Sequence, residues 1–293
     1  MQKFAAHPGL PRAAVLLAIM TLSACGGGEQ PGGDAGNVLI SSTVASQTDA
    51  NAAAADGLSA PAKKEIAMQL VSSSENSSLD WKAQYAYIED IGDGRGYTGG
   101  IIGFTSGTSD MLELVTAYDK IKPGNLLSPY LPALRKVNGS ASHAGLDPNF
   151  VSDWQKAAQD PVFQQSQNTL RDNEYFNPAV SLAKQDGLRT LGQFIYYDAI
   201  VMHGPGADSQ SNSFQGIRAQ AQLKALPPSR GGNETAYLNA FLDVRRALMQ
   251  SEPDHAGNLD RLDTQQRLFL QNGNLDLNTP LNWKVNGDSY QIR

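Results

Sequence analysis

The amino-acid sequence predicts a mainly α-helical fold with a small β-sheet, an α+β architecture of two lobes flanking a cleft. Three observations carry this expectation. Long segments place apolar residues at helical spacing; Phe194, Ile195, Ala199 and Met202 share one face. The stretch from Trp81 to Phe104 alternates and turns as short strands do. Near the end stands Asn286-Gly287, a hairpin signal.

In chain order, Ser59 with Pro61 in the first turn opens a helix. Ile66, Ala67, Leu70 and Val71 then fall on one face of it. The polar run from Ser72 to Ser78 stops it, which sets Glu75 at or just past its C-terminal end. Trp81, Ala83, Tyr85 and Tyr87 alternate with mostly polar neighbours, as in a strand, although that spacing does not exclude a short helix. Residues 92–100 read as a turn-rich loop, and Tyr97 to Phe104 as a returning strand. Further helices are expected near 109–120, 128–137, 150–171, 178–202, 214–225, 234–250 and 260–271.

The N-terminus is a processing segment. Lys3 and Arg12 supply positive charge, and Ala13 to Met20 an apolar core too short to span a membrane. Leu22-Ser-Ala-Cys25 follows, which is the bacterial lipoprotein box. Residues 1–24 are thus expected to be a signal peptide, with Cys25 lipidated as the first mature residue. This implies an exported protein held at a membrane only through Cys25. As the single cysteine, Cys25 also excludes intramolecular disulfides, so the fold must rely on its core. Residues 25–58 are poor in large apolar side chains and are expected to be a flexible linker. Residues 59–293 are the folded part. The net charge is −6, and removing Lys3 and Arg12 with the signal makes it −8. An acidic chain suits a cationic ligand and repels nucleic acid.

Residues 72–104 are dense in acids, aromatics and glycines, and eighteen residues separate Glu75 from Asp93. Hydrolysis of a sugar–sugar bond calls for that mixture. One carboxylic acid protonates the leaving oxygen, and a second carboxylate activates water. Aromatic faces hold the rings. The run Ser72-Ser-Ser-Glu75 to Gly99-Gly-Ile-Ile-Gly-Phe104 closely resembles the signature of the chitosanases of glycoside hydrolase family 46. The resemblance continues through Gly107-Thr-Ser-Asp110, Gln193 to Gly206 and Asp263 to Leu270, and so covers about residues 59–293. Thr105 stands where many relatives carry cysteine, a departure expected to touch packing rather than chemistry.

The resemblance implies a lysozyme-like fold and an endo-acting, inverting enzyme that cuts β-1,4 bonds between glucosamine units. It would need no cofactor and no metal and act as a monomer on chitosan or glucosamine oligosaccharides. Glu75 matches the general acid and Asp93 the general base. Thr98 matches the residue that positions the attacking water. Arg95, Asp110, Tyr87 and His255 match substrate contacts. Asp198, Arg245 and Arg261 match an ion-pair network behind the acid.

Each residue type has a plainer use. Asp93 in Gly-Asp-Gly suits an Asx turn. Asp110-x-x-Glu113 suits a helix capping box. Asp198 lies on a largely apolar helix, where an unpaired charge is costly, so it should be paired. Asp80, Glu89 and Asp90 rival Asp93, and Arg267 rivals Arg261. His7, His143, His203 and His255 lack metal-ligand spacing. Gly92-Asp-Gly-Arg-Gly lacks the Gly-Lys-Ser/Thr of a phosphate loop. Two alternatives stand beside the chitosanase: a muramidase of the same fold class and a non-catalytic glycan-binding lipoprotein.

Overall fold

The computed structural model describes residues 56–252 and 256–293. The signal segment, Cys25, almost all of the linker and His255 lie outside these residues. The folded unit begins slightly earlier than the sequence suggests. Gly57–Ser59 forms a 3-10 turn, Leu58 is fully buried, and its N–H donates to Gln193 Oε1 at 2.8 Å. One leucine with a core pocket and an amide partner is enough to draw these residues out of the linker.

Two hydrophobic cores organise the chain, as expected for two lobes. The larger is built from helices α1 (Pro61–Asn76), α6 (Asn177–Gln185), α7 (Thr190–His203), α8 (Phe214–Lys224), α9 (Glu234–Ser251) and α10 (Arg267–Gln271). A terminal hairpin, β4 (Leu281–Val285) and β5 (Asp288–Ile292), closes it, with Asn286-Gly287 at its turn. The smaller core holds a three-stranded antiparallel sheet, β1 (Ile88–Asp90), β2 (Tyr97–Gly99) and β3 (Phe104–Thr105). Helices α2 (Asp110–Ile121), α3 (Leu131–Val137), α4 (Phe150–Ala157) and α5 (Pro161–Arg171) cover that sheet. Trp81 packs against both cores.

Four sequence expectations are sharpened or corrected by the structure. First, α1 ends inside the polar run as expected, at Asn76, and Glu75 sits in its last turn. Ser72, Ser73 and Ser74 are buried there. Ser73 donates back to the Leu70 carbonyl at 2.8 Å, and its Oγ accepts from Trp283 Nε1 at 3.1 Å and from Gln265 Nε2 at 3.2 Å. Small hydroxyls satisfied in this way cost a helix little. Second, Trp81–Ala86 is a 3-10 helix rather than a strand. Tyr85 is buried while Ala83 is exposed, which breaks a period of two.

Third, the expected helices over 150–171 and 178–202 are each divided. Asp160 caps α5 by accepting from the Val162 amide at 3.0 Å, and Pro161 follows at its first position. Gly187, at φ 79°, breaks the chain between α6 and α7. Fourth, the helix expected from 260 begins as a π-helical segment, Arg261–Gln266, before α10. A second π-helical segment, Asp172–Phe176, joins α5 to α6. Such widened turns re-aim side chains and recur at functional sites.

Candidate active site

Glu75 projects from the last turn of α1. Its Oε1 lies 2.7 Å from Arg261 Nη1, and its side chain is only 14% exposed. Arg261 is itself buried, and its Nη2 donates to Asp198 Oδ1 at 2.8 Å. The other Asp198 oxygen accepts from Arg245 Nη1 at 2.6 Å and Gln266 Nε2 at 2.7 Å. Asp198, Arg245 and Arg261 therefore form the pairing the sequence suggested. Arg267 does not join it; it turns outward to Asp243 and Asn239. Gln266 is a member that sequence reasoning missed, although it stands inside the Asp263 to Leu270 block. It reaches Asp198 because the π-helical segment turns it inward beside Arg261.

The electrostatics of this cluster are set by Asp198. Burial alone would push its carboxyl up, but the charges of Arg261 and Arg245 and their hydrogen bonds outweigh that and hold it down to about 2. Asp198 thus stays ionised and compensates both guanidiniums. Arg261 thus has Asp198 as a second carboxylate partner besides Glu75.

Asp93 is held from the other core. It sits in the loop between β1 and β2, where its Oδ1 accepts the Arg95 N–H at 3.0 Å, the Asx turn the sequence suits. Arg95 also folds its side chain back; Nε and Nη2 both donate to Asp93 Oδ2, at 2.9 and 2.7 Å. These three donors fix the carboxylate's plane, and lone pairs remain on it for a further partner. The Arg95 backbone is braced in turn. Gly107 donates to the Arg95 carbonyl at 2.9 Å. A Cβ at Gly107 would lie 2.7 Å from that carbonyl and 2.5 Å from Ser140 O, so no other residue fits without displacing the loop.

Beside this loop lies a further cluster that has no sequence signal. The His143 ring stacks on Tyr97, with centroids 4.0 Å apart, and its Nε2 lies 3.0 Å from Asp90 Oδ2. Tyr97 donates to Asp147 Oδ1 at 2.5 Å. Asp90 and Tyr97 are cross-strand partners at the two ends of the Asp93 loop, so this stack clamps its base. Asp90 also accepts the Gly92 amide at 2.8 Å. Asp80 and Glu89 are exposed. None of the three rival acids is held as Asp93 is.

Thr98, on β2, is fully buried, and its Oγ1 has no hydrogen-bond partner among the described residues. Its backbone pairs with Glu89 on one side and Thr105 on the other. A buried hydroxyl without a protein partner calls for a ligand or a water. Tyr87 closes the 3-10 helix at Trp81–Ala86 and donates to Glu89 Oε2 at 3.4 Å. Burial, then the charges of Glu89 and Asp93, push its phenol up to about 12, so it remains a neutral donor.

Asp110 is the first residue of α2, after Ser109 at φ 76°. The cap position falls on Ser109, so Asp110 stands one residue inside the place a capping box would give it. Instead, Asp110 Oδ1 accepts the Thr105 amide at 3.0 Å, the Thr108 hydroxyl at 2.9 Å and its neighbour Met111's amide at 3.1 Å. The Thr105 hydroxyl reaches the same oxygen at 3.4 Å and touches Thr108. Thr105 therefore does more than pack: its hydroxyl joins the β3–α2 junction, where a thiol would bond weakly.

Comparison with known proteins bears on this arrangement. Residues 69–281 match the model of glycosyl hydrolase family 46. The chain is 67% identical to a chitosanase of Streptomyces sp. strain N174 over 236 residues, 80% of this chain and 84% of that one. It is 63% identical to a chitosanase of Nocardioides sp. strain N106 over 239 residues, 82% and 84% of the two chains. A solved structure described as chitosanase OU01 with substrate superposes with a TM-score of 0.76 at 58% identity, covering 81% of this chain and 99% of that one.

Proposed function

The chain belongs to glycosyl hydrolase family 46 and is a chitosanase, and we propose that it cuts glucosamine–glucosamine bonds by a single displacement between Glu75 and Asp93. This assignment sets aside the muramidase and the non-catalytic binding protein. Glu75 gives its proton to the leaving oxygen. Asp93, its plane fixed by Arg95, drives a water onto the opposite face of the sugar, and the Thr98 hydroxyl orients that water. The observation that carries this reading is the support behind each carboxyl. Glu75 alone among the weighed acids is backed by a buried arginine whose charge is already compensated. Asp93 alone among them is gripped by an arginine fork. The first-formed product should be the α-anomer, read by proton NMR within the first minutes of hydrolysis. A β-anomer would reject single displacement.

Arg95, Asp110 and Tyr87 belong to the same proposal as substrate contacts, with Asp110 facing a sugar ammonium. The four hydrogen bonds described for Asp110 fall on Oδ1, and the oxygen of an asparagine accepts the same four. Asp110→Asn therefore isolates the charge. It is expected to raise KM for glucosamine oligomers about tenfold, the weight of one charge-assisted contact, while the melting temperature holds. Unchanged kinetics would leave Asp110 with its junction role only. Attachment through Cys25 is likewise proposed. Among the described residues no helix is long and apolar enough to cross a membrane. Mass spectrometry of the mature N-terminus decides whether Cys25 is the first residue and carries lipid.

A further inference from the structure

His203 has no part in the mechanism above, yet it joins the chain of contacts that reaches Glu75. It is the last residue of α7 and 9% exposed. Its Nε2 accepts from Arg245 Nε at 3.1 Å. A ring nitrogen that accepts is unprotonated, so this contact fixes the tautomer with the proton on Nδ1. Arg245 is fully buried and needs partners for its donors. Nη1 has Asp198 Oδ2, and Nη2 lies 3.4 Å from the Asp198 carbonyl and 3.3 Å from Met202 Sδ. Nε has His203.

The contacts His203–Arg245, Arg245–Asp198, Asp198–Arg261 and Arg261–Glu75 measure 3.1, 2.6, 2.8 and 2.7 Å. The charged side chains that touch one another along this chain are Arg245 on α9, Asp198 on α7, Arg261 on the π-helical segment and Glu75 on α1; Arg246 and Asp263 follow on the same elements. Arg246 and Asp263 pair with each other, at 2.9 Å. A guanidinium offers donors only, so the group that faces Arg245 Nε must offer an acceptor, and His203 Nε2 does.

We propose that His203 is a positioning residue for the general acid: its neutral Nε2 holds Arg245 against Asp198, and Asp198 in turn sets the Arg261 guanidinium that faces Glu75. This rests on the reading of Glu75 as the acid. Without the acceptor, Arg245 is free to leave Asp198. A positive charge then recedes from Glu75, and the guanidinium that faces it loses its fixed seat.

The test measures kcat and KM across pH on a glucosamine hexamer for the native enzyme, His203→Leu, His203→Gln and Glu75→Gln. Leucine removes the acceptor; the glutamine amide oxygen restores one near the Nε2 position. His203→Leu should lower kcat roughly 10–100-fold with KM within about twofold, the scale on which a misplaced reacting group registers. The alkaline limb of its kcat profile should move to higher pH. His203→Gln should recover most of kcat and the native limb. If leucine prevents folding, His203→Asn, whose amide falls short of Arg245, takes its place. A folded His203→Leu with native kcat and native limb overturns the proposal. So do equal losses in the leucine and glutamine variants with the limb unmoved. Glu75→Gln separates the two readings: native turnover there removes the general acid and this role with it. Lost turnover there, beside a native His203→Leu, removes His203 alone.

Discussion

Replacing Asp198 by alanine is expected to lower the melting temperature by about 10 °C or more, from a loss of roughly 3–5 kcal/mol. The reason lies in what remains. Arg245 and Arg261 are both fully buried, and among the described residues Asp198 is the only carboxylate that touches both. Truncation leaves Arg245 beside the His203 imidazole and Arg261 with Glu75 alone. The exposed pair of Arg189 and Asp276 supplies the control, since both side chains are roughly half in water. Asp276→Ala should cost no more than about 1 kcal/mol. Thermal unfolding of the two variants side by side decides the matter, and equal shifts would show that burial is not what gives Asp198 its weight.

The same residue sets a pH window. Its carboxyl is held down to about 2 in the folded protein, against 3.8 in the free side chain. The stability it contributes is therefore fully present above the unfolded value. It drains away as pH falls from there through about 2. Asp198→Ala should flatten that part of the acid-denaturation curve.

Glu75→Gln and Asp93→Asn should each remove turnover by about 10²–10⁴-fold, the contribution of a positioned acid or base. Neither should unfold the protein. In Glu75→Gln the amide oxygen still accepts from Arg261, and Asp198 still compensates that guanidinium. In Asp93→Asn the fork from Arg95 loses charge assistance, but this loop is braced independently by Gly107 and by the stack of Tyr97 on His143. Initial rates on a glucosamine hexamer, with melting temperatures measured alongside, check both. Retained turnover in either variant, with the fold intact, would remove that residue from the mechanism.

Much of the site was legible because its chemistry is concentrated in one run. Glu75, Asp93, Arg95 and Thr98 stand within twenty-four residues, and it is the resemblance of that whole run to the family signature, not any one residue's type or spacing, that singled them out. Asp198 was legible for another reason: a carboxylate on an apolar helix demands a cation. Which cation was not, because Arg261 and Arg267 are both seven or fewer residues from Asp260 and differ only in the direction a π-helical turn gives them. Gln266 and His203 escaped for the same reason, since their roles depend on which way a helix faces.

In the fold, local signals sufficed where the partner is local. Asn286-Gly287 turns its own hairpin, and Asp160-Pro161 starts α5, although its force as a break was missed. The end of α1 was legible in its polar run, but the burial of its three serines was not, because Trp283 and Gln265 meet Ser73 from far along the chain. The 3-10 helix at Trp81–Ala86 fails similarly, because Tyr85 faces the smaller core while Trp81 packs against both.

The bond from Trp283 to Ser73 joins residues 210 positions apart. It lies one helical step from Glu75, and Asn286 reaches the neighbouring Ser74 carbonyl at 3.3 Å. The end of the first helix is therefore completed by a hairpin from far along the chain. Until that hairpin folds, Glu75 stands on an unfinished turn, so a variant lacking β4 and β5 would lose the seat of Glu75 before it lost most of its core.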